Sequence, residues 1–166
     1  VPCVVRWPGK IPAGSNSGAI TSTLDLLPTA AALSGAKVPD DRIIDGKNIL
    51  PILLGKTDKH PREAFFYYQM DQLQAVRSGD WKLFVPMDSK KKNWGKPEGK
   101  TELKLFNLAN DIHEDENLAD KNPDIVKRLL AHAEQAREDL GDVNRPGKGQ
   151  RQAGWVKNAS PRLLGK

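Results

Sequence analysis

A short apolar run at the start of the chain constrains the fold more than any other feature. Val1, Cys3, Val4 and Val5 follow one another without alternating polar residues, which is typical of a strand covered on both faces. Such a strand needs hydrogen-bonding neighbours and two covering layers. We therefore expect its neighbours to be encoded ahead of Val1, and we expect this segment to be shielded from solvent.

A helix is predicted in "TSTLDLLPTAAALSGA", which follows a loop rich in Gly, Pro and Ser. Ser22 and Asp25 are spaced as a capping box, and Gly35 lies where a left-handed residue closes a helix. A strand, a loop and a helix in this order form half of a β-α-β unit and indicate an α/β fold. The predicted buried stripe consists of Leu24, Leu27, Ala31 and Leu33 or Ala32.

The pattern changes to that of an antiparallel sheet after residue 60. "EAFFYYQ", "LQAVRSGDWKLFV" and "LKLFNL" are rich in β-branched and aromatic residues, and Ser78-Gly79-Asp80 divides the second stretch as a hairpin turn. The last predicted element is a long helix in "NPDIVKRLLAHAEQAREDLG". Asn122 is suited to cap it, Pro123 to its first position, and Gly141 to its end.

The sequence predicts three parts. Residues 1–60 are the incomplete end of a large α/β domain, residues 61–141 are an antiparallel sheet with a helix, and residues 142–166 are a flexible basic tail. Six basic side chains and one acidic side chain lie in residues 141–166, so the tail accounts for the net charge of +5. A solvated extension is one interpretation; a module that binds an anionic polymer is the alternative.

Motifs for catalysis or metal binding are not found. The single Cys3 excludes a disulfide framework and a multi-cysteine zinc site. The segment that begins at Asp111 resembles a calcium loop, but Glu116 replaces the glycine and Asn122 replaces the final acidic residue. A turn whose side chains bind local backbone groups is the alternative. No apolar run reaches the length of a membrane span, and nucleic acid is not an expected partner.

The predicted hairpin carries a candidate anion-binding face. Arg77, Trp81 and Lys82 lie close together in the sequence, and their cationic groups are suited to an anionic ligand. The alternative is that Trp81 packs beside an exposed edge of basic residues. Alternation along a strand places Arg77 and Ala75 on one face of the sheet.

The order of several short motifs resembles the C-terminal third of the sulfatases of the alkaline-phosphatase superfamily, over residues 1–140. These motifs are "VPCVVRWPG", "DLLPTAAALSG", "DGKNILPILL", "AVRSGDWKL" and "LFNLANDIHEDENL". Ile112 departs from the family pattern, which has Pro there. The resemblance implies an α/β fold, the C-terminal piece of an alkaline-phosphatase-like fold. It comprises a partial mixed sheet with helices, followed by a small antiparallel sheet packed on a C-terminal helix.

The resemblance also implies that the catalytic groups belong to another region of the enzyme. Sulfatases use a formylglycine, made from the cysteine of a C-x-P-x-R motif, and a calcium ion. Cys3 is followed by Val4, Val5 and Arg6, so it does not match that motif. We therefore expect formylglycine and calcium to be held by residues outside this chain, in an N-terminal sulfatase region that is its partner. The chain alone is expected to be inactive, with no catalytic or metal residues of its own.

The predicted function is that of part of a sulfuric ester hydrolase acting on a sulfated small molecule or carbohydrate. A phosphodiesterase or phosphonate hydrolase of the same superfamily is the alternative enzyme. Tyr68, Gln69 and Asp71 in "YYQMDQ" are the predicted substrate-binding residues at the rim of the pocket; a plain surface connection is the alternative. The resemblance implies a periplasmic or extracellular location.

Overall fold

The computed structural model describes residues 2–89, 99–151 and 156–158. A 3-10 turn at Thr23–Asp25 leads into the first helix. The helices are α1 (Leu26–Ser34), α2 (Leu50–Leu53) and α3 (Pro123–Leu140). The strands are β1 (Phe65–Gln69), β2 (Gln72–Ser78), β3 (Trp81–Phe84), β4 (Asp88–Ser89), β5 (Gly99–Lys100), β6 (Lys104–Asn107), β7 (Gly141–Asp142) and β8 (Arg145–Pro146).

The central element is an antiparallel sheet with the strand order β1-β2-β3-β6. The predicted hairpin is confirmed: Ser78 pairs with Trp81, and Gly79 has a φ of 56°. A glycine takes this left-handed conformation without steric cost. The register between β1 and β2 shifts between Tyr67 and Tyr68, as expected at a bulge, which re-aims the side chains that follow it.

Helix α3 covers one face of this sheet, and the core lies between them. Leu129, Ala133 and Ala136 of the helix are buried, whereas Leu140 at its end is 38% exposed. Each large apolar side chain buried in such a core contributes about 1.5–3 kcal/mol. The sheet side of the core consists of Leu73, Val76, Leu83, Val85 and Leu105.

The opening segment differs from its prediction. Residues 2–6 form no strand, and Val4 is 94% exposed. The physical reason is that no strand in the described part of residues 2–60 lies beside this segment to share its backbone hydrogen bonds. The partial mixed sheet expected in residues 1–60 is therefore not formed in the described residues, and the sheet of the fold begins at Phe65.

Helix α1 also buries a different side from the one predicted. The capping box of Ser22 and Asp25 is confirmed, and Gly35 ends the helix in the left-handed conformation. However, Leu24, Leu27 and Leu33 are exposed. The buried residues of this region are Asp25, Pro28 and Thr29.

The segment predicted as a flexible tail is folded over its first residues. Strands β7 and β8 pair antiparallel, and Asp142 binds Arg137 of α3. The backbone N–H groups of Lys148 and Gly149 also donate to carbonyl oxygens near the end of α3. Residues 152–155 and 159–166 lie outside the described residues, so the remainder of the tail stays a prediction, as do the domain boundaries.

Candidate functional site

The turn between β1 and β2 presents the predicted substrate-binding residues. Gln69 and Asp71 are exposed, and Met70 between them has a φ of 55° and is 95% exposed. The side-chain Nε2 of Gln74 donates to the side-chain Oε1 of Gln69 at 2.6 Å. This hydrogen bond joins the two strands at the turn and limits the freedom of the Gln69 side chain.

Tyr68 faces the opposite way from its neighbours in the turn. Its hydroxyl donates to the carbonyl oxygen of Gly141 at 2.8 Å, just beyond α3. Burial raises the pKa of the Tyr68 hydroxyl above its ordinary value, and the nearby carboxylate of Asp142 adds to this effect. The hydroxyl is therefore protonated at neutral pH, and its hydrogen is directed at the protein rather than at solvent.

A depression of about 360 Å³ lies between this turn and the end of α3. Its lining contains one carboxylate, one amide and one hydroxyl, without a cationic side chain. It is therefore suited to contact the hydroxyl groups and apolar surface of a ligand, and it is unsuited to hold a sulfate group by charge. The lining residues are Tyr68, Met70, Asp71, Leu140 and Gln150.

Asp142 links the turn between β1 and β2 to helix α3. Its Oδ1 accepts from the backbone N–H of Leu73 at 3.2 Å, and its Oδ2 accepts from Nε of Arg137 at 2.8 Å. Burial alone would raise the pKa of the Asp142 carboxyl, but the hydrogen bond from Arg137 and two backbone donors outweigh it and leave the pKa lowered. The candidate site is thus carried by a rigid support.

The proposed anion-binding face of the hairpin is not formed. Trp81 packs against the core on the α3 side of the sheet. Lys82 lies opposite Arg77 in the register of β2 and β3. Its ammonium group is 2.6 Å from the Glu114 carboxylate and 4.4 Å from the centre of the Phe84 ring. Because Glu114 neutralises Lys82 and Trp81 lies on the other face of the sheet, Trp81 neither joins an anion-binding face nor packs beside an exposed edge of basic residues; it packs on the core.

A hydrogen-bonded cluster around the buried carboxylate of Asp25, in the N-terminal half, was not predicted. We call it the Asp25–Arg62 cluster; it consists of Ile20, Asp25, Lys47, His60 and Arg62. Arg62 donates to Oδ1 of fully buried Asp25 and to the carbonyl oxygen of Ile20. The backbone N–H of Lys47 also donates to Asp25, at 2.8 Å, and that of Ile20 to Nδ1 of His60, at 3.0 Å.

The sequence pattern identified only one residue of this cluster. The capping box identified Asp25, but Arg62 lies 37 residues further along the chain. Burial alone would raise the pKa of the Asp25 carboxyl, yet the hydrogen bond from Arg62 and those from the backbone N–H groups of Lys47 and Ser22 lower it. A carboxylate with so many internal donors is a structural anchor.

The described residues contain no group of three or more His, Cys, Asp or Glu side chains able to hold a metal ion. Cys3 is exposed. The oxygens of Asp111 accept from the backbone N–H groups of Asp115 and Glu116 at 3.1 and 3.0 Å, and these bonds lower the pKa of its carboxyl. The segment that resembles a calcium loop is therefore a turn with local hydrogen bonds.

Comparison with known proteins identifies relatives of this chain. The family described as the C-terminal region of aryl-sulfatase matches residues 60–162. Steryl-sulfatase of Mus musculus is 43% identical over 88 residues, which are 51% of this chain and 14% of that protein. N-acetylgalactosamine-6-sulfatase of Canis lupus familiaris is 43% identical over 83 residues, which are 49% of this chain and 15% of that protein.

The fold is similar to a solved structure from work on the metabolism of glycosaminoglycans by Bacteroides thetaiotaomicron. The TM-score is 0.67 at 30% identity, and the match covers 81% of this chain and 28% of the other. The matched part of this chain spans about one seventh of the length of steryl-sulfatase and of N-acetylgalactosamine-6-sulfatase. No helix in the described part of the chain is both long enough and apolar enough to cross a membrane.

Proposed function

Since this chain belongs to the sulfatase family, as the C-terminal region of an arylsulfatase, we propose that it completes the fold of a sulfuric ester hydrolase and forms part of its substrate rim. The observation that carries the proposal is the match of the family model over residues 60–162. This range contains the sheet, α3 and the candidate site. The hydrolysis itself is assigned to a partner, a sulfatase catalytic region.

The chemistry of the described residues does not fit a formylglycine or calcium site. Cys3 lacks the Pro and Arg of the C-x-P-x-R motif, and no suitable group of metal ligands is present in residues 2–89, 99–151 and 156–158. No catalytic step is therefore assigned to this chain. Its own contribution is to bind and orient a substrate.

The rim is assigned to the turn between β1 and β2. Asp71 and Gln69 are exposed polar side chains on a support held by Tyr68 and Asp142. A carboxylate repels a sulfate group, whereas it accepts hydrogen bonds from sugar hydroxyls. The proposed role of these side chains is to hold the hydroxyl-bearing part of the substrate away from the sulfate.

The proposed substrate class is a sulfated carbohydrate. The lining of the depression supports this choice because it offers a carboxylate and an amide beside the apolar Met70. The names of two relatives agree with it, since one is an N-acetylgalactosamine-6-sulfatase and the other comes from glycosaminoglycan metabolism. A periplasmic or extracellular location is part of the same proposal, and fractionation of the cells that produce the protein tests it.

The test of the proposed function uses reconstitution. The pure chain is expected to release no product from an aryl sulfate in the presence of calcium. It is expected to bind a sulfatase catalytic region that is supplied as a separate polypeptide. One such polypeptide is the Bacteroides thetaiotaomicron protein from which the part that matches this chain has been deleted. Turnover by the pure chain, or the absence of any complex, would contradict the proposal.

The rim is tested in the reconstituted enzyme with a sulfated disaccharide. Asp71→Ala is expected to raise KM about tenfold while kcat stays within twofold, because the lost contact is the same in the ground and transition states. Asp124→Ala, at the far end of α3, is the matched control and is expected to leave both constants unchanged. An unchanged KM for Asp71→Ala would show that the turn between β1 and β2 does not contact the substrate.

A further inference from the structure

Met70 occupies the turn between β1 and β2 in a backbone conformation that suits a methionine poorly. Gln69 pairs with Gln72, so Met70 and Asp71 form a two-residue connection between the strands. The φ of Met70 is 55°, and hairpins with a positive φ at this first position usually carry Gly there. A Cβ makes the left-handed region costly. The backbone of the turn therefore gives no reason for a methionine at this position.

The packing of the chain does not explain Met70 either. Among the described residues, the other two non-glycine residues with a positive φ are Glu114 and Asn144. The side chain of Glu114 is paired with Lys82 at 2.6 Å, and asparagine tolerates the left-handed region better than most residues. Met70, in contrast, is 95% exposed, so almost none of its apolar surface is removed from water. Strained residues of this kind are concentrated at sites that bind ligands.

The surroundings of Met70 suit a ring that is apolar on its faces and polar at its edge. The apolar side chains of the depression of about 360 Å³ are Met70 and Leu140, which is 38% exposed. Its exposed polar side chains are Asp71 and Gln150. The Nε2 of Gln150 donates to the carbonyl oxygen of Leu140, which fixes this side of the depression to the end of α3. The volume falls within the range of roughly 300–1,000 Å³ that is usual for small-molecule sites.

We propose that Met70 is a specificity-determining residue that packs on the C–H face of an unsulfated sugar ring, an inference that rests on the proposed function. A pyranose ring carries C–H groups on its faces and hydroxyl groups at its edge. The thioether side chain is flexible and polarisable, so it follows an irregular apolar surface, while the carboxylate of Asp71 accepts hydrogen bonds from the hydroxyl groups. The ring is unsulfated because the lining of the depression contains a carboxylate and no cationic side chain.

The inference narrows the substrate class to oligosaccharides. A sulfated monosaccharide has a single ring, whose sulfate group is bound by the catalytic region and not by this depression. A disaccharide brings a second ring, which reaches Met70 while the sulfated ring is held by the catalytic region. The contact with the second ring is the same in the ground state and in the transition state, so Met70 affects KM and leaves kcat unchanged.

The kinetic test uses the reconstituted enzyme with a sulfated disaccharide and with the corresponding sulfated monosaccharide. Met70→Gly is expected to raise KM for the disaccharide about fivefold and to leave KM for the monosaccharide within about twofold, because only the disaccharide loses an apolar contact. Met70→Leu keeps the apolar contact, and Ile112→Ala shortens an exposed apolar side chain outside the depression. Both are expected to behave as the wild type does. Because Gly adopts a positive φ without steric cost, Met70→Gly is expected to unfold in urea at the same or a higher midpoint.

A second readout uses the 166-residue chain alone. Met70 and Met87 are its two methionines, so isotopic labelling of the methionine methyl groups gives two NMR signals, which Met87→Leu assigns. The Met70 signal is expected to shift on titration with the sulfated disaccharide and to a similar extent with its unsulfated form, because the depression contacts the ring and not the sulfate. The Met87 signal is expected to stay in place.

The outcomes separate this inference from the proposed function. If Asp71→Ala raises KM but Met70→Gly does not, the inference is overturned while the proposed function stands. If Met70→Gly raises KM equally for the disaccharide and the monosaccharide, the contact is not with a second ring and the inference is again overturned. If no complex forms, the proposed function fails, and a Met70 signal that does not shift in the chain alone then overturns the inference as well, whereas a saturable shift supports it.

Discussion

The hydroxyl of Tyr68 donates to the carbonyl oxygen of Gly141 at 2.8 Å, and the two residues lie 73 positions apart in the sequence. This bond closes the end of α3 onto the strand that leads into the candidate substrate rim. Carbonyl oxygens at the end of a helix lack intrahelical donors, so the Tyr68 hydroxyl satisfies one that would otherwise depend on water. Tyr68 therefore supports the candidate rim, while Gln69 and Asp71 are exposed to solvent.

The first prediction concerns this bond. Tyr68→Phe is expected to lower the free energy of unfolding by about 1 kcal/mol, the usual contribution of one neutral hydrogen bond. Tyr67→Phe is the matched control, because Tyr67 contributes its ring to contacts with Phe65 and Lys82, and these survive the change. Urea unfolding measures both variants, and equal losses would show that the Tyr68 hydroxyl has no special role.

The second prediction concerns the Asp25–Arg62 cluster. Asp25→Asn removes the charge that faces Arg62 and is expected to cost about 3 kcal/mol, the lower end of the range for a broken buried ion pair. Arg62 keeps slight contact with solvent, which places the cost at that end. Asp41→Asn is the comparison, since the pair of Asp41 and Arg42 is exposed. It is expected to leave the unfolding midpoint unchanged; a similar loss in both variants would contradict the prediction.

The third prediction is a loss of stability in acid. The pKa values of Asp25 and Asp142 are lowered in the folded protein, against about 3.9 in an unfolded chain. Their contribution is therefore complete above about pH 4 and is lost as the pH falls through their folded values. The unfolding free energy is expected to fall below about pH 4, and Asp142→Asn is expected to make that fall shallower. A profile unchanged by this substitution would refute the assignment.

The fourth prediction uses two glycines. A Cβ at Gly46 would overlap the backbone carbonyl of Leu24, which cannot move without disturbing the helix entry. Gly46→Ala is therefore expected to destabilise the fold by about 1–3 kcal/mol, as overpacking does. A Cβ at Gly18 would meet no atom within 4 Å, so Gly18→Ala is the control and is expected to be neutral. Thermal unfolding compares them, and a neutral Gly46→Ala would contradict the described contact.

Local patterns predicted much of the C-terminal half. Alternation and turn chemistry located the hairpin at Gly79, and Pro123 and Gly141 located the two ends of α3, although the side chain of Asn122 donates to the carbonyl oxygen of Leu118 and does not cap the helix. The family match over residues 60–162 agrees with the part of the chain where these signals are strongest. Each of these features depends on residues that are near one another in the sequence, which is why a sequence pattern can specify them.

The candidate site was predictable only in part. The turn that carries Gln69 and Asp71 follows from the spacing of the two strands. The partners of Tyr68 and Asp142 do not, because the helix end and the turn meet only after α3 has packed on the sheet. The assignment of Tyr68, Gln69 and Asp71 to a substrate remains a prediction that the reconstitution experiment tests.

By itself, the sequence determined the hairpin, the main strands after residue 60, the ends of α3 and the family, since periodicity, turn residues and short motifs act over a few neighbouring positions. Tertiary structure alone decided which side of α1 is buried and whether the opening run becomes a strand. An apolar stripe specifies that a surface is suited to burial, but the surface that covers it is set by the position of distant elements. Asp25 and Arg62 illustrate this, because they pair across 37 residues and Asp25 is buried there while the leucines of α1 are exposed.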